Sequence, residues 1–241
     1  VAIVTGAAQG MGLVTAQEFA RRGAIPVLVD INAEKLDRSV QSVRDIDQRA
    51  MSIAMDVSKK AQWLDMVKCV HDRFGSIDVL VNNAAISATT PFEHIAEEEW
   101  DRVYAVNVKG ILFGCQAVAP HMRQQQSGRI INMASQAGKT GGLVIGAHYS
   151  SSKAAVICMT KSFASALGRY NITVNAVAPG IINTDFLLGV PGIENSFSRI
   201  VLGGKPGEAI DVASAIVFLA GEEARHITGE TMNVNGGLLM D

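Results

Sequence analysis

Cysteine is scarce in this chain. Cys69, Cys115 and Cys158 are the only three in 241 residues, they stand far apart, and no C-x-x-C occurs. An odd, scattered set excludes a disulfide framework. The expectation is three core or helix-packing thiols in a reducing compartment, the cytoplasm. Charge is scarce too: 18% of residues are charged, the formal net charge is −2, and no basic cluster occurs. Nucleic acid and anionic membrane surfaces are therefore excluded as expected partners. No apolar run reaches the roughly 18 residues of a membrane span. No basic-then-apolar leader precedes the first apolar run, so no targeting peptide is expected, and the start inside that run suggests that a few residues precede Val1. His71, His94, His121, His148 and His226 show no ligand spacing, so no catalytic metal is expected. Repeats and low-complexity linkers are also missing.

What the chain has is apolar mass in an alternating order. Hydrophobic residues make up 48%, enough for a large buried core, and the length suits one α/β domain over residues 1–241. Short apolar runs at 1–5, 25–29, 50–55, 77–81, 129–133, 173–178 and 230–234 read as strands. Between them, 13–22, 33–47, 61–74, 97–104, 108–123, 148–170 and 209–219 read as helices. The alternation predicts a doubly wound parallel sheet with helices on both faces, expected to have seven strands. One segment, about 185–206, breaks the rhythm. Glycines and prolines flank Phe186, Leu187, Leu188, Phe197 and Ile200 there, and a short substrate lid is expected.

The first thirty residues carry a binding pattern. Val1-Ala-Ile-Val-Thr5 reads as a buried strand, Thr5-Gly6-x-x-x-Gly10-x-Gly12 as a glycine turn opening a helix, and Ile25 to Val29 as a second strand ending on Asp30. Such a βαβ unit suits a dinucleotide. Glycines let the backbone approach a pyrophosphate, the helix N-terminus turns free N–H groups toward the anion, and the terminal carboxylate accepts hydrogen bonds from ribose hydroxyls. Gln9 and Met11 lie among the glycines. Ile31, Asn32 and Ala33 follow Asp30 with no cation, and the helix position of Lys35 is expected to keep it away. NAD is therefore the expected cofactor, because a 2′-phosphate would face the carboxylate uncompensated.

Tyr149-Ser-Ser-Ser-Lys153 is a second anchor. Residues four apart share a helix face, so phenol and ammonium are expected in one site. A cation held close favours phenolate, and the expectation is a Tyr149 pKa lowered from about 10 toward neutrality. Upstream, Asn132-Met-Ala-Ser135 ends a strand where the Ser135 hydroxyl could hold a substrate oxygen beside the phenol. Asn107 adds an amide inside a helical break.

Asn107, Ser135, Tyr149 and Lys153, in this order and behind the Thr5-Gly6-x-x-x-Gly10-x-Gly12 loop, resemble the catalytic tetrad of the short-chain dehydrogenase/reductase family. Asp56-Val57, Asn82-Asn83-Ala84, Pro179-Gly180 with Thr184, and Asn233-Val-Asn-Gly236-Gly237 extend the resemblance over nearly the whole chain. It implies a Rossmann-type fold and an oxidoreductase moving hydride between nicotinamide and a secondary alcohol or ketone. It places Gly6, Gln9, Gly10, Met11 and Gly12 at the pyrophosphate side, Asp30 and Ile31 at the adenosine ribose, and Asp56 and Val57 at the adenine. Asn82 and Ala84 would line the cofactor further in, Lys153 would hold the nicotinamide ribose, and Pro179, Gly180, Ile182 and Thr184 would surround the carboxamide. Tyr149 would carry the proton, Ser135 would steady the oxygen, and Asn107 would hold a water linking Lys153 to solvent. Three departures stand out. Ala85 replaces a customary glycine, Asn235 a customary aspartate, and the Ser135-to-Tyr149 loop is one residue longer.

Ser135, Ala137, Leu143, His148 and Phe186 are expected at the substrate, a small molecule. The short lid favours a polyol or sugar-like alcohol, with a 3-ketoacyl thioester or another small ketone as the alternative and a non-catalytic dinucleotide-binding regulator as a third reading. The helices at 108–123 and 148–170 carry apolar residues on more than one face, which, with the family resemblance, predicts a homotetramer.

Overall fold

The computed structural model describes residues 1–241 apart from 88, 143–144 and 186–191. Along the chain the elements are β1 (Ala2–Thr5), α1 (Gly10–Arg21), β2 (Pro26–Asp30), α2 (Ala33–Arg44), β3 (Met51–Ala54), α3 (Lys60–Phe74), β4 (Val79–Asn82) and α4 (Glu97–Tyr104). There follow α5 (Gly110–Gln125), β5 (Gly128–Met133), α6 (Ala137–Thr140), α7 (Ala147–Leu167), β6 (Ile172–Pro179), β7 (Ile182–Asn183), β8 (Gly207–Glu208), α8 (Ala209–Ala220) and β9 (Thr231–Val234). Seven strands pair in parallel in the order β3-β2-β1-β4-β5-β6-β9, the expected doubly wound sheet. The two-residue strands β7 and β8 form a separate parallel pair that is too short to announce itself in sequence.

Strand alternation sends side chains to two cores. Ile3, Val27 and Val29 join Trp63, Val118 and Val156 of α3, α5 and α7 on one face. Ala2, Val4 and Leu28 join Phe19, Leu36 and Ile216 of α1, α2 and α8 on the other. Because both faces are covered, β1, β5 and β6 are buried throughout, which is why they read as mostly apolar runs without a polar face, with Arg129, Asn132, Thr173 and Asn175 as buried polar exceptions.

The chain winds outward from β1 to β3, then returns to lay β4 on the other side of β1. That reversal opens a crevice beyond the carboxyl ends of the strands, where Thr5, Asp30, Asn82, Met133 and Pro179 end their strands.

Local differences from the sequence reading have physical causes. The first helix starts at Gly10 rather than 13, because the glycine turn itself coils into the helix. Asn107 does not break the helix. It sits in a π-turn, Ala105–Lys109, that links α4 to α5 and keeps the chain helical. Only Cys115 is buried; Cys69 and Cys158 are exposed on α3 and α7. Ala85 is not among the residues with positive φ, so its methyl costs nothing there. The Asn235 amide does what a carboxylate could not: Nδ2 donates to the Leu239 carbonyl at 2.9 Å while Oδ1 accepts from the Gly237 N–H at 2.9 Å.

Candidate active site

The glycine turn is bolted to the segment after β4. Gly6 (φ +64°) and Gly10 (φ +55°) take left-handed backbone. Asn83 Nδ2 donates to the Thr5 and Gly6 carbonyls at 2.8 and 3.1 Å, and Thr5 Oγ1 accepts from the Asn83 and Ala84 N–H groups, both at 3.0 Å. A Cβ on Gly12 would stand 2.3 Å from the Gly6 carbonyl oxygen, so this glycine serves close packing. Gln9, the N-cap of α1, makes no side-chain cap, which leaves first-turn N–H groups for an anion.

A cavity of about 400 Å³ is bounded by this turn and Asp30 at one end and by Ser135, Tyr149 and Lys153 at the other. Of the residues singled out in the sequence, Gly6, Gln9, Gly10, Met11, Asp30, Ala84, Ala137, Pro179, Gly180, Ile182 and Thr184 also line it. Gly12, Ile31, Asp56, Val57, Asn82, Asn107 and His148 do not. Ile31 is 71% exposed. Asp56 accepts from the Ser58 N–H (2.9 Å) and the Val57 carbonyl accepts from the Trp63 indole (2.8 Å), which ties both to their own turn. Asn82 is committed inward, donating to Asn132 Oδ1 at 2.9 Å. Leu143, Phe186 and the 186–191 part of the expected lid lie outside the described residues. Ile193 and Ser196, further along that segment, line the cavity.

Asp30 is held by backbone: Oδ2 accepts from the Ala8 N–H at 3.1 Å and Oδ1 from the Asn32 N–H at 3.0 Å. Each oxygen keeps capacity for a further donor. The expectation that Lys35 stands away is corrected. Its flexible stem carries the ammonium onto the cavity wall, where it donates to Gln9 Oε1 and lies 3.6 Å from Asp185 Oδ2.

At the other end, Tyr149 and Ser135 share a hydrogen bond, and Lys153 Nζ donates to the Met133 carbonyl at 2.7 Å. The ammonium lies 5.7 Å from the Tyr149 ring centroid. The expected lowering of the phenol pKa is overturned: burial raises it to about 12, against which the Ser135 hydrogen bond works only in part. Burial also pulls Lys153 down to about 7. Both groups are cut off from water, so each is driven toward its neutral form. Tyr149 therefore holds its proton at neutral pH. Asn107, fully buried, accepts from the Ile86 N–H (2.9 Å) and donates to the Ile86 carbonyl (3.0 Å) and Ser152 Oγ (3.1 Å). Its amide fastens the segment after β4 to α7.

The lysine makes the fold less stable. A drop from 10.5 to about 7 corresponds to roughly 5 kcal/mol at about 1.4 kcal/mol per unit. Losing its bond to Met133 would return about 1–3 kcal/mol. Lys153→Met is therefore expected to stabilise the ligand-free protein by roughly 2–4 kcal/mol at pH 7. Between pH 7 and 10.5 the unfolded chain holds a proton that the folded chain has released, so wild-type stability rises with pH across that window. The variant's advantage should be greatest below pH 7 and should shrink by about 1.4 kcal/mol per unit above it. Urea unfolding of both proteins at pH 7 and pH 9 measures this, and a gap independent of pH would refute it.

Residues 1–190 match the short chain dehydrogenase family. The chain belongs to that family. Among the relatives of this dehydrogenase are a 3-oxoacyl-[acyl-carrier-protein] reductase of Thermotoga maritima, 40% identical over 100% of this chain and 98% of the relative, and a sorbitol dehydrogenase of Cereibacter sphaeroides, 39% identical over 98% and 96%. A solved 3-oxoacyl-[acyl-carrier protein] reductase from Brucella melitensis with bound NAD superposes with a TM-score of 0.89 at 32% identity, covering 100% of this chain and 91% of that one. This short-chain dehydrogenase is thus an oxidoreductase of a family that binds a nicotinamide cofactor. Its own residues fit one, with a glycine cradle that a Cβ would fill, an uncapped helix N-terminus and an anchored carboxylate around a single cavity. Among the described residues no helix is long and apolar enough to cross a membrane, and no three metal-binding side chains cluster.

Proposed function

We propose that this short-chain dehydrogenase uses NAD(H) to interconvert a secondary alcohol and its ketone, with one domain holding both cofactor and substrate. The observation that carries this reading is the single cavity running between Asp30 and the Ser135–Tyr149–Lys153 group. Gly6 and Gly10 with the α1 N-terminus would hold a pyrophosphate, Asp30 a ribose, and Lys153 the second ribose. The nicotinamide, when bound, supplies the hydride acceptor or donor. Tyr149 keeps its proton in the buried site and gives it to, or takes it from, the substrate oxygen, while Ser135 holds that oxygen in place. Lys153 charge favours the phenolate during this exchange. Asn107 positions the walls.

For the substrate we favour a small polyol or sugar-like alcohol, to which Gln136 and Ser196 on the cavity wall offer hydrogen bonds. Ile145, Ile193 and Leu238 on the same wall, together with the reductase names of several relatives, favour a 3-ketoacyl thioester as the second reading. The test is a panel of polyols, sugars, hydroxyacids, ketones and a β-ketoacyl thioester, followed by nicotinamide absorbance with both cofactors. Faster NAD-linked turnover of polyols supports the first reading, and faster thioester reduction replaces it with the second. Cofactor binding without turnover of any compound would instead indicate a dinucleotide-binding regulator.

Half-buried Phe113, Ile157, Met159 and Phe163 on α5 and α7 support a homotetramer, which a monomer mass in light scattering would overturn. The exposed thiols Cys69 and Cys158 suit a reducing compartment, the cytoplasm.

A further inference from the structure

We infer that the buried His148, paired with the partly exposed Glu99, positions Tyr149 for proton transfer; the inference rests on the dehydrogenase reading of the cavity.

The backbone alone holds the start of α7 poorly. Gly146 is its N-cap and supplies no side-chain cap. Gly141 and Gly142, a few residues earlier, have φ of +85° and +78°. Tyr149 is the third residue of this helix, inside the turn whose N–H groups lack intrahelical partners and which frays first. Side chains reaching α4 fasten that turn instead. His148 Nε2 lies 3.0 Å from Glu99 Oε1, and the imidazole is fully buried. Two residues beyond Tyr149, Ser151 Oγ accepts from the Tyr104 hydroxyl at 3.0 Å.

Glu99 does more than hold the histidine. The same Oε1 accepts from Thr90 Oγ1 at 2.8 Å, and Thr90 belongs to the segment that continues from Ala84 and Ala85 on the cavity wall. These bonds, Thr90 first and His148 second, hold the Glu99 carboxyl below its usual range, so it is an ionised acceptor at neutral pH. One oxygen atom thereby ties the turn bearing Tyr149 to the segment that lines the cavity.

As a means of stabilising the fold the pair is poor. His148 Nδ1 is buried with no partner among the described residues, and a well-packed apolar side chain would serve the core as well or better. Positioning is a different requirement, because small displacements of a reacting group reduce rate far more than they reduce stability.

His148→Leu separates the two roles. It should leave the melting temperature unchanged or higher and the NADH dissociation constant within about twofold, while kcat falls about 10- to 100-fold. His148→Gln, whose amide nitrogen can replace Nε2, should return kcat to within about threefold of wild type. Glu99→Ala should match His148→Leu, and the double variant should be no worse than either alone. If His148→Leu fails to fold, Glu99→Ala with Glu99→Gln as its conservative rescue carries the same comparison. Wild-type kcat in His148→Leu or Glu99→Ala, or a rate loss that tracks a fall in melting temperature and is not rescued by Gln, overturns the inference. A wild-type protein that binds NADH and oxidises an alcohol keeps the reading of the cavity intact in that event; one that binds no nicotinamide cofactor overturns both.

Discussion

Tyr149→Phe is expected to lower kcat by about a hundredfold or more, the usual size of a general acid–base contribution. The substitution keeps the ring of a residue that is only 6% exposed on the cavity wall and removes only the hydroxyl. Because burial holds the phenol near 12, wild-type Tyr149 is a loaded proton donor at neutral pH, suited to ketone reduction as it stands. Alcohol oxidation needs the phenolate, and a charged Lys153 favours it. Burial places that lysine near 7, so the two directions should differ in pH dependence through the charge state of one side chain. NADH binding by the Phe variant should stay within a few-fold of wild type, since the cradle at Gly6 to Gly12 is untouched. Near wild-type turnover would remove Tyr149 from the proton path.

Discrimination against NADP is the second large effect. A 2′-phosphate beside Asp30 would place like charges close together. At an effective dielectric of about 20, a 4 Å approach costs on the order of 4 kcal/mol per charge pair before screening. The backbone N–H groups of Ala8 and Asn32 hold the carboxylate where it is, so it cannot swing aside without losing both bonds. Lys35 stands at the same end but is engaged by Gln9 and Asp185. Unmutated protein should therefore prefer NAD by about a hundredfold or more in kcat/KM. Asp30→Ser should narrow that gap by itself, because the phosphate then meets no carboxylate at the ribose position and Lys35, held by Gln9 and Asp185, stands at the same end of the cavity. Adding Ile31→Arg should carry the preference further toward NADP, since the exposed position next to residue 30 leaves room for a flexible guanidinium to meet the phosphate. Fluorescence titration with NADH and NADPH, with steady-state kinetics, measures both. Equal or higher kcat/KM with NADP in the unmutated protein would remove Asp30 from this role.

The sheet was legible because a strand buried on both faces lacks a polar side and reads as a mostly apolar run bounded by turn residues; β1 shows this most plainly, and β5 and β6 show it despite the buried Arg129, Asn132, Thr173 and Asn175. Ser135, Tyr149, Lys153 and the glycine turn meet at one cavity because they sit near strand ends or share a helix face, where sequence spacing becomes geometry directly; Asn107, in the π-turn between α4 and α5, does not line it. Lys35 was not. Its ammonium reaches the cavity through a long flexible stem, and rotamers leave no trace in spacing. Asn82 and Asn83 are adjacent yet face opposite ways, one into the core and one onto the glycine turn; only the exact end of β4 decides which. The direction of the Tyr149 pKa is hidden from sequence for a related reason. Sequence shows which charges are near, while desolvation depends on everything packed around them.

The sheet order also bears on how the chain is made. β1 is first in sequence but central in space, and its partner Val81 lies far along the chain from Val4. At about 5–20 residues per second of synthesis, roughly 4 to 15 s separate the emergence of β1 from that of β4. Through that interval Ile3 and Val4 have one strand edge without a pairing partner. A growing chain in this state offers an apolar template to any other strand nearby, so the nascent first third of the molecule is where self-association and chaperone capture should concentrate.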